Sequence, residues 1–107
     1  METVICRFEH DRAVRLCALH LLAEGYDVRA RVEEWFQAPD YVNGYRPDIV
    51  ARKGNQVLMV EIRKSAADWP KINALQRVQS EGEDFRLVVT SPDVVLNRQW
   101  AVLMPAH

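Results

Sequence analysis

Two carboxylates, Asp48 and Glu61, carry the chemistry this sequence offers, because a tight turn should set them face to face. The run Arg46-Pro47-Asp48-Ile49-Val50-Ala51-Arg52-Lys53 leads into Gly54-Asn55, and Gln56-Val57-Leu58-Met59-Val60-Glu61-Ile62-Arg63-Lys64 leads out. Two strand-like runs around a Gly-Asn turn form the pattern of a β-hairpin. With the turn centred between Gly54 and Asn55, Asp48 falls directly opposite Glu61. Opposed side chains have Cβ atoms ~4.5–5.5 Å apart, and like charges there repel. A cation relieves such repulsion, and two kinds are candidates: a metal ion or a neighbouring arginine.

Side chains alternate faces along a strand, so Asp48, Glu61 and Arg63 share one face while Ile62 and Lys64 point to the other. Two carboxylates at this spacing can hold a hard divalent cation such as Mg²⁺ (or Mn²⁺), which takes oxygen ligands and keeps several waters. The carbonyl of Ile62 lies between them and offers a further oxygen. A metal held there can activate water and stabilise charge on a phosphate. The competing reading is a charge ladder. The same register sets Arg46 opposite Arg63, one step along the same face, so the four residues could neutralise one another without metal. Such a ladder is worth little at a surface, and buried it is weak evidence for stability.

The elements that must position this pair can be read from periodicity. Val14, Cys17, Ala18, Leu21 and Leu22 recur at helical spacing within Asp11 to Glu24, with Leu16, Leu19 and Ala23 widening the apolar face. Asp11 stands near the expected start, where its charge suits the helix dipole, and Gly25 is a stop signal. Tyr26 to Val32 alternates as a strand with one buried face. Glu33 to Tyr45 reads as a loop, unusually aromatic in Trp35, Phe36, Tyr41 and Tyr45. The second hairpin strand, Val57 to Ile62, is apolar almost throughout, as a strand covered on both faces would be. Ser65 or Asp68 can cap a second helix that tolerates Pro70 in its first turn. Ile72, Leu75 and Val78 give that helix its stripe, and Gly82 marks its end. Phe85 to Thr90 is a fourth strand, Ser91-Pro92-Asp93 a turn or short helix, and Trp100 to Met104 a further edge strand. Helices before and after a mixed sheet imply an α/β protein, a three-layer α/β/α sandwich of order α-β-β-β-α-β. The second helix can make a right-handed crossover between parallel third and fourth strands.

The 107 residues fit one domain, 1–107, with a modest core. Apolar residues at 49% and charged residues at 27% exclude a disordered chain. A net charge of −1 supplies no global attraction for polyanions, though a local basic patch can coexist with it. Cys6 and Cys17 form no CxxC or Cys/His cluster, which argues against zinc and against a disulfide framework. No run is long enough to span a bilayer, and a reducing, cytoplasmic setting is the expectation.

From Asp11 to Thr90 the layout resembles the PD-(D/E)xK, or restriction-endonuclease-like, nuclease superfamily, and is nearest to Holliday junction resolvase-like members. Pro47-Asp48 matches the Pro-Asp on the first hairpin strand. Glu61-Ile62-Arg63 matches the acid-x-Lys on the second except in its last residue. Leu22-Ala23-Glu24-Gly25-Tyr26-Asp27-Val28 is similar to the Gly-aromatic-x-Val approach to the first strand of the resolvase-like members. The resemblance implies a metal-dependent nuclease acting on DNA, branched DNA included, in repair, recombination or defence. Asp48 and Glu61, with the Ile62 carbonyl, would ligate Mg²⁺ or Mn²⁺. Arg63, or a displaced Lys64 or Lys71, would stabilise phosphate charge, and Lys71 and Gln76 would contact substrate.

A domain this small suggests a homodimer or a partner subunit. Two departures stand out. Arg63 replaces the family lysine and, always protonated, can hardly act as a base. Val14 aligns with a first-helix glutamate, and neither Glu9 nor Asp11 obviously takes its place. The alternative is a protein that keeps the fold without catalysis, as a nucleic-acid-binding or protein-interaction module.

Plainer roles stand beside these. Lys64, Lys71 and Gln76 read first as solvated surface residues. The loop aromatics can stack on bases, but covering the core edge or building a dimer contact is the favoured reading. His10, His20 and His107 share no ligand spacing, and Cys17 in its apolar stretch reads as a buried thiol.

Overall fold

A computed structural model describes residues 4–33, 35, 37–63, 69–77 and 84–96. The elements run α1 (Val4–Ala23), β1 (Asp27–Ala30), β2 (Ile49–Lys53), β3 (Gln56–Ile62), α2 (Trp69–Gln76), β4 (Asp84–Thr90) and α3 (Pro92–Leu96). The four strands form one mixed sheet in the order β1-β2-β3-β4. β1, β2 and β3 are antiparallel neighbours, and β4 joins β3 in parallel through α2. This is the expected α/β arrangement, a sheet with flanking helices.

The hairpin register is the one the turn dictates. Ile49 pairs with Val60 and Lys53 with Gln56, so the pairing steps onward to Asp48 and Glu61. Gly54 adopts φ 61° at the first turn position, while Asn55 has no positive φ. A two-residue turn with a positive φ only at its first position suits glycine and matches the twist of the flanking strands.

α1 begins well before Asp11, because neither glycine nor proline interrupts Val4 to Ala23 and an aspartate inside a helix is only mildly unfavourable. Asp11 therefore lies in the helix interior, away from the N-terminal end of the dipole. The helix stops where expected. Gly25 takes φ 95°, its N–H donates to Leu22 O at 3.0 Å, and Tyr26 N–H donates to Leu21 O at 3.1 Å. These two bonds close a Schellman motif around a residue that needs the left-handed region.

The core lies between α1, α3 and one face of the sheet. Ala13, Val14, Cys17, Ala18 and Leu21 meet Ile49, Ala51, Leu58, Val60, Ile62 and Val95 there. The apolar stripe of α1 is narrower than expected: Leu16, Leu19 and Leu22 are 41%, 48% and 49% exposed. A sheet face fills only one side of a helix, so these leucines fall outside it.

Ile49→Ala should cost about 2–5 kcal/mol, as for an aliphatic side chain removed from a packed core. Leu19→Ala should stay within about 0.5 kcal/mol. Thermal melts of the two variants check this, and equal losses would refute the packing described.

Val57, Met59 and Glu61 alternate with the core residues of β3 and so point to the opposite face. There α2 packs on β4 and buries Ile72 and Leu75 completely. Asn43 of the long loop donates to Ala74 O of α2 at 2.8 Å. The rest of that face forms an open groove of about 330 Å³, floored by Val50, Val57, Met59 and Phe85 and flanked by Arg29 and Arg52. Trp35 covers the core edge, as expected of the loop aromatics, and its Nε1 donates to Val28 O at 2.8 Å. The expected cap at Ser65 or Asp68, the stop at Gly82, the stripe residue Val78 and the strand Trp100 to Met104 lie outside the described residues. Among the described residues no helix is long and apolar enough to cross a membrane.

Candidate active site

Asp48 and Glu61 meet as the register requires, and both are buried, at 2% and 3% exposure. Their carboxyl groups lie close enough for the charge and protonation of one to act on the other.

The rest of the site comes from the ends of β2 and β3 and from α1 and α2. Asp48 Oδ2 accepts the Ile62 N–H at 2.8 Å, a bond that ties the end of β2 to β3. From the α1 side, His10 Nε2 lies 2.9 Å from the Ile62 carbonyl oxygen and 3.3 Å from Asp48 Oδ2. A carbonyl only accepts, so Nε2 carries the proton and donates to it. From the α2 side, Lys71 Nζ donates to Glu61 Oε1 at 3.0 Å and stands 2.8 Å from Oε2. The shorter approach lies outside hydrogen-bond geometry, which leaves Oε2 buried without a donor. We take the Lys71–Glu61 contact as an ion pair through both oxygens, with one true hydrogen bond.

The two acids titrate as a coupled pair. Burial alone would push Asp48 up, but the hydrogen bonds from His10 and Glu61 and the charges of His10 and Lys71 outweigh it. Its carboxyl is held well below the usual carboxylate range. Glu61 moves the other way. Burial, then the hydrogen bond to Asp48 and its charge, push it up to about 9 against the opposing pull of Lys71. Asp48 is thus the stronger acid of the two, and Glu61 is the one that takes up a proton first. The field of Asp48 reaches Cys17 as well. Burial first and Asp48 second push that thiol up to about 12, so it stays protonated and inert.

The arginines take no part in the expected ladder. Arg46 lies over the Tyr41 ring, 4.5 Å from its centroid, and Arg63 over the Trp69 ring at 5.2 Å. Each prefers a flat π face outside the pair to a desolvated position between the acids. The cation against Glu61 is Lys71, on α2.

Gln76 ends α2 in an exposed position, five residues and so about 140° around the helix from Lys71, and is not brought to the pair. Lys64 lies outside the described residues. His10 is the residue that sequence reasoning missed. Its signal was position rather than spacing: it lies one turn before Val14, on the face that packs against the sheet.

The donor set suits a hard cation. It offers two carboxylates, one carboxylate oxygen without a hydrogen-bond donor, and a backbone carbonyl with a second lone pair. Among the described residues no group of three or more His, Cys, Asp and Glu side chains is arranged to hold a metal. A metal here would rest on two acids and fill its shell with water, as Mg²⁺ does.

The sequence model of a family described as REase_AHJR-like matches residues 1–99 of the chain. The chain belongs to that restriction-endonuclease-like family. The match takes in the whole sheet, all three helices and every member of the buried cluster. No curated protein matches the chain, and no solved structure does.

Proposed function

We propose that the protein is a metal-dependent nuclease that hydrolyses phosphodiester bonds in DNA. The observation that carries this reading is the ion pair from Lys71 to a buried Asp48–Glu61 carboxyl pair, in a restriction-endonuclease-like chain. Lys71 supplies the positive charge that Arg63 cannot bring to the pair, and it does so from α2.

In this reading Asp48 and Glu61 hold Mg²⁺ or Mn²⁺, and the Ile62 carbonyl lies beside them as a further oxygen. A metal held there would supply an activated water and charge to offset that of the phosphate. Asp48 stays ionised across the neutral range and is fixed by the Ile62 N–H and by His10. Glu61, the weaker acid of the two, would give up its proton to a bound cation. Lys71 brings an ammonium group to the position where phosphate charge gathers. Like a metal, it stabilises that charge without taking part in covalent chemistry. An assembly of two copies, or of one copy with a partner subunit, would enclose the substrate that a domain of this size leaves open.

The test is a titration of Mg²⁺ and of Mn²⁺ against duplex, single-stranded and branched DNA. Cleavage should require the divalent ion and stop with EDTA. Cleavage that continues in EDTA, or none on any of the three substrates, would remove the proposal.

A further inference from the structure

We propose that the site takes its DNA as an unpaired strand, with bases stacking on Tyr41 and Trp69 beside the carboxylate pair. This rests on the nuclease reading and narrows it to a substrate class.

The two arginines that failed to join the acids carry the inference. Arg46 stands two residues before Asp48, and Arg63 two residues after Glu61. Each lays its guanidinium over an aromatic ring, Tyr41 at 4.5 Å and Trp69 at 5.2 Å. One face of each ring is thereby covered, yet Tyr41 remains 66% exposed and Trp69 48% exposed. A stacked guanidinium fixes the tilt of a ring and still keeps N–H donors at its edge. Arg46 Nε is itself buried without a hydrogen-bond partner, which leaves the other guanidinium nitrogens to meet an acceptor. The chain thus sets two similar devices just beyond its acidic pair, each an open ring backed by a cation.

A nucleobase offers a π face to such a ring, and a phosphate accepts from the adjoining arginine. A base inside a duplex already has both faces stacked and is shielded by its backbone. Two exposed rings are therefore of use to a strand whose bases are free. The net charge of −1 points the same way, because without a general basic field the affinity must come from local stacking. The groove on the same sheet face as Glu61 gives the strand a course beyond the first ring. Its lining includes Val42, next to Tyr41, with Arg29 and Arg52, and Asp40 stands 3.5 Å from Arg29.

The test is fluorescence anisotropy with a short labelled oligothymidine and a duplex of equal length, in EDTA so that no cleavage occurs. The single strand should bind at least about ten-fold more tightly than the duplex. Tyr41→Ala and Trp69→Ala should each weaken single-strand binding by roughly ten-fold, the scale of losing one stacked base. Tyr41→Phe and Trp69→Phe should keep most of the affinity.

Both rings are exposed, so the alanine variants should melt like the parent protein. Independently, binding should quench tryptophan fluorescence in the parent, and Trp69→Phe should abolish most of that quench. Equal affinity for duplex, alanine variants that bind as the parent does, or an undiminished quench in Trp69→Phe would overturn the inference. The measurement needs neither metal nor catalysis. Its failure would leave the divalent-ion cleavage test untouched, and a protein that binds the strand without cleaving it would sink the nuclease reading alone.

Discussion

Asp48→Ala is expected to lower divalent-dependent DNA cleavage by roughly a thousand-fold, the scale on which removal of a single preorganised electrostatic group is felt. The residue has two duties that can be separated. One oxygen, Oδ2, is a structural acceptor for the Ile62 N–H and faces His10 Nε2. The charge of the group is the part that a metal needs. Alanine removes both, and it leaves a buried N–H unpaired at a cost of about 1–3 kcal/mol. Asp48→Asn keeps an oxygen acceptor and removes the charge, so it should fold more stably than the alanine variant while cleaving as poorly.

Glu61→Gln should fail alike. Lys71→Met should lose about a hundred-fold in cleavage, because it removes the ammonium that acts on phosphate. Single-turnover cleavage, alongside melting curves, checks the series. Asp48→Asn with parental cleavage would show that the pair is structural, and parental cleavage in Lys71→Met would return Lys71 to the solvated role.

Metal binding should release a proton, and its affinity should rise steeply with pH. Glu61 in the metal-free protein is pushed up to about 9 by burial and by Asp48, against an ordinary value of 4.5. A divalent ion needs the carboxylate and must displace that proton. Between these two values affinity should therefore increase about ten-fold per pH unit. Calorimetric Mn²⁺ titrations in two buffers of different ionisation enthalpy should count close to one proton released per ion at pH 7. A count of zero would mean that Glu61 is already ionised by Lys71.

The same shifts fix the sign of the pH dependence of stability. Glu61 has a folded-state pKa above its unfolded one, so its contribution is full below 4.5 and is lost as pH rises through about 9. Asp48 is shifted the other way. Its contribution is present above 3.8 and is lost as pH falls through its depressed folded value. The metal-free protein should thus lose melting temperature as the pH is raised from mildly acidic to alkaline. Saturating Mn²⁺ should reverse most of that loss, because it binds the deprotonated folded site.

Much of this arrangement was legible in the residues, and for a local reason. A Gly-Asn turn fixes hairpin register, register fixes which side chains oppose, and the alternation of a strand fixes their face. Those rules act over a few residues, so Asp48 and Glu61 could be paired before any fold was known. The order of elements followed from periodicity in the same way, with misses at α1. Its expected start lies too late because the charge of Asp11 suits the N-terminal end of a helix dipole. Its buried stripe was drawn too wide because hydrophobicity alone does not tell how much of a helix a sheet can cover.

The partners of the pair are a different matter. His10 lies 38 positions from Asp48 and 52 from Ile62, and only the packing of α1 on the sheet brings its ring to the end of β3. Lys71 reaches Glu61 because α2 crosses the opposite face on its way from β3 to β4. The arginines could be placed opposite each other by register, yet register says nothing of whether a guanidinium turns inward. The loop and the start of α2 decided that, by presenting Tyr41 and Trp69 as open rings. The sequence by itself thus determined the acidic pair, because adjacency in a hairpin is a short-range consequence of turn chemistry. Only the tertiary structure decided which cations and which histidine serve the pair. Those contacts close over long stretches of chain and depend on how two helices pack against a sheet.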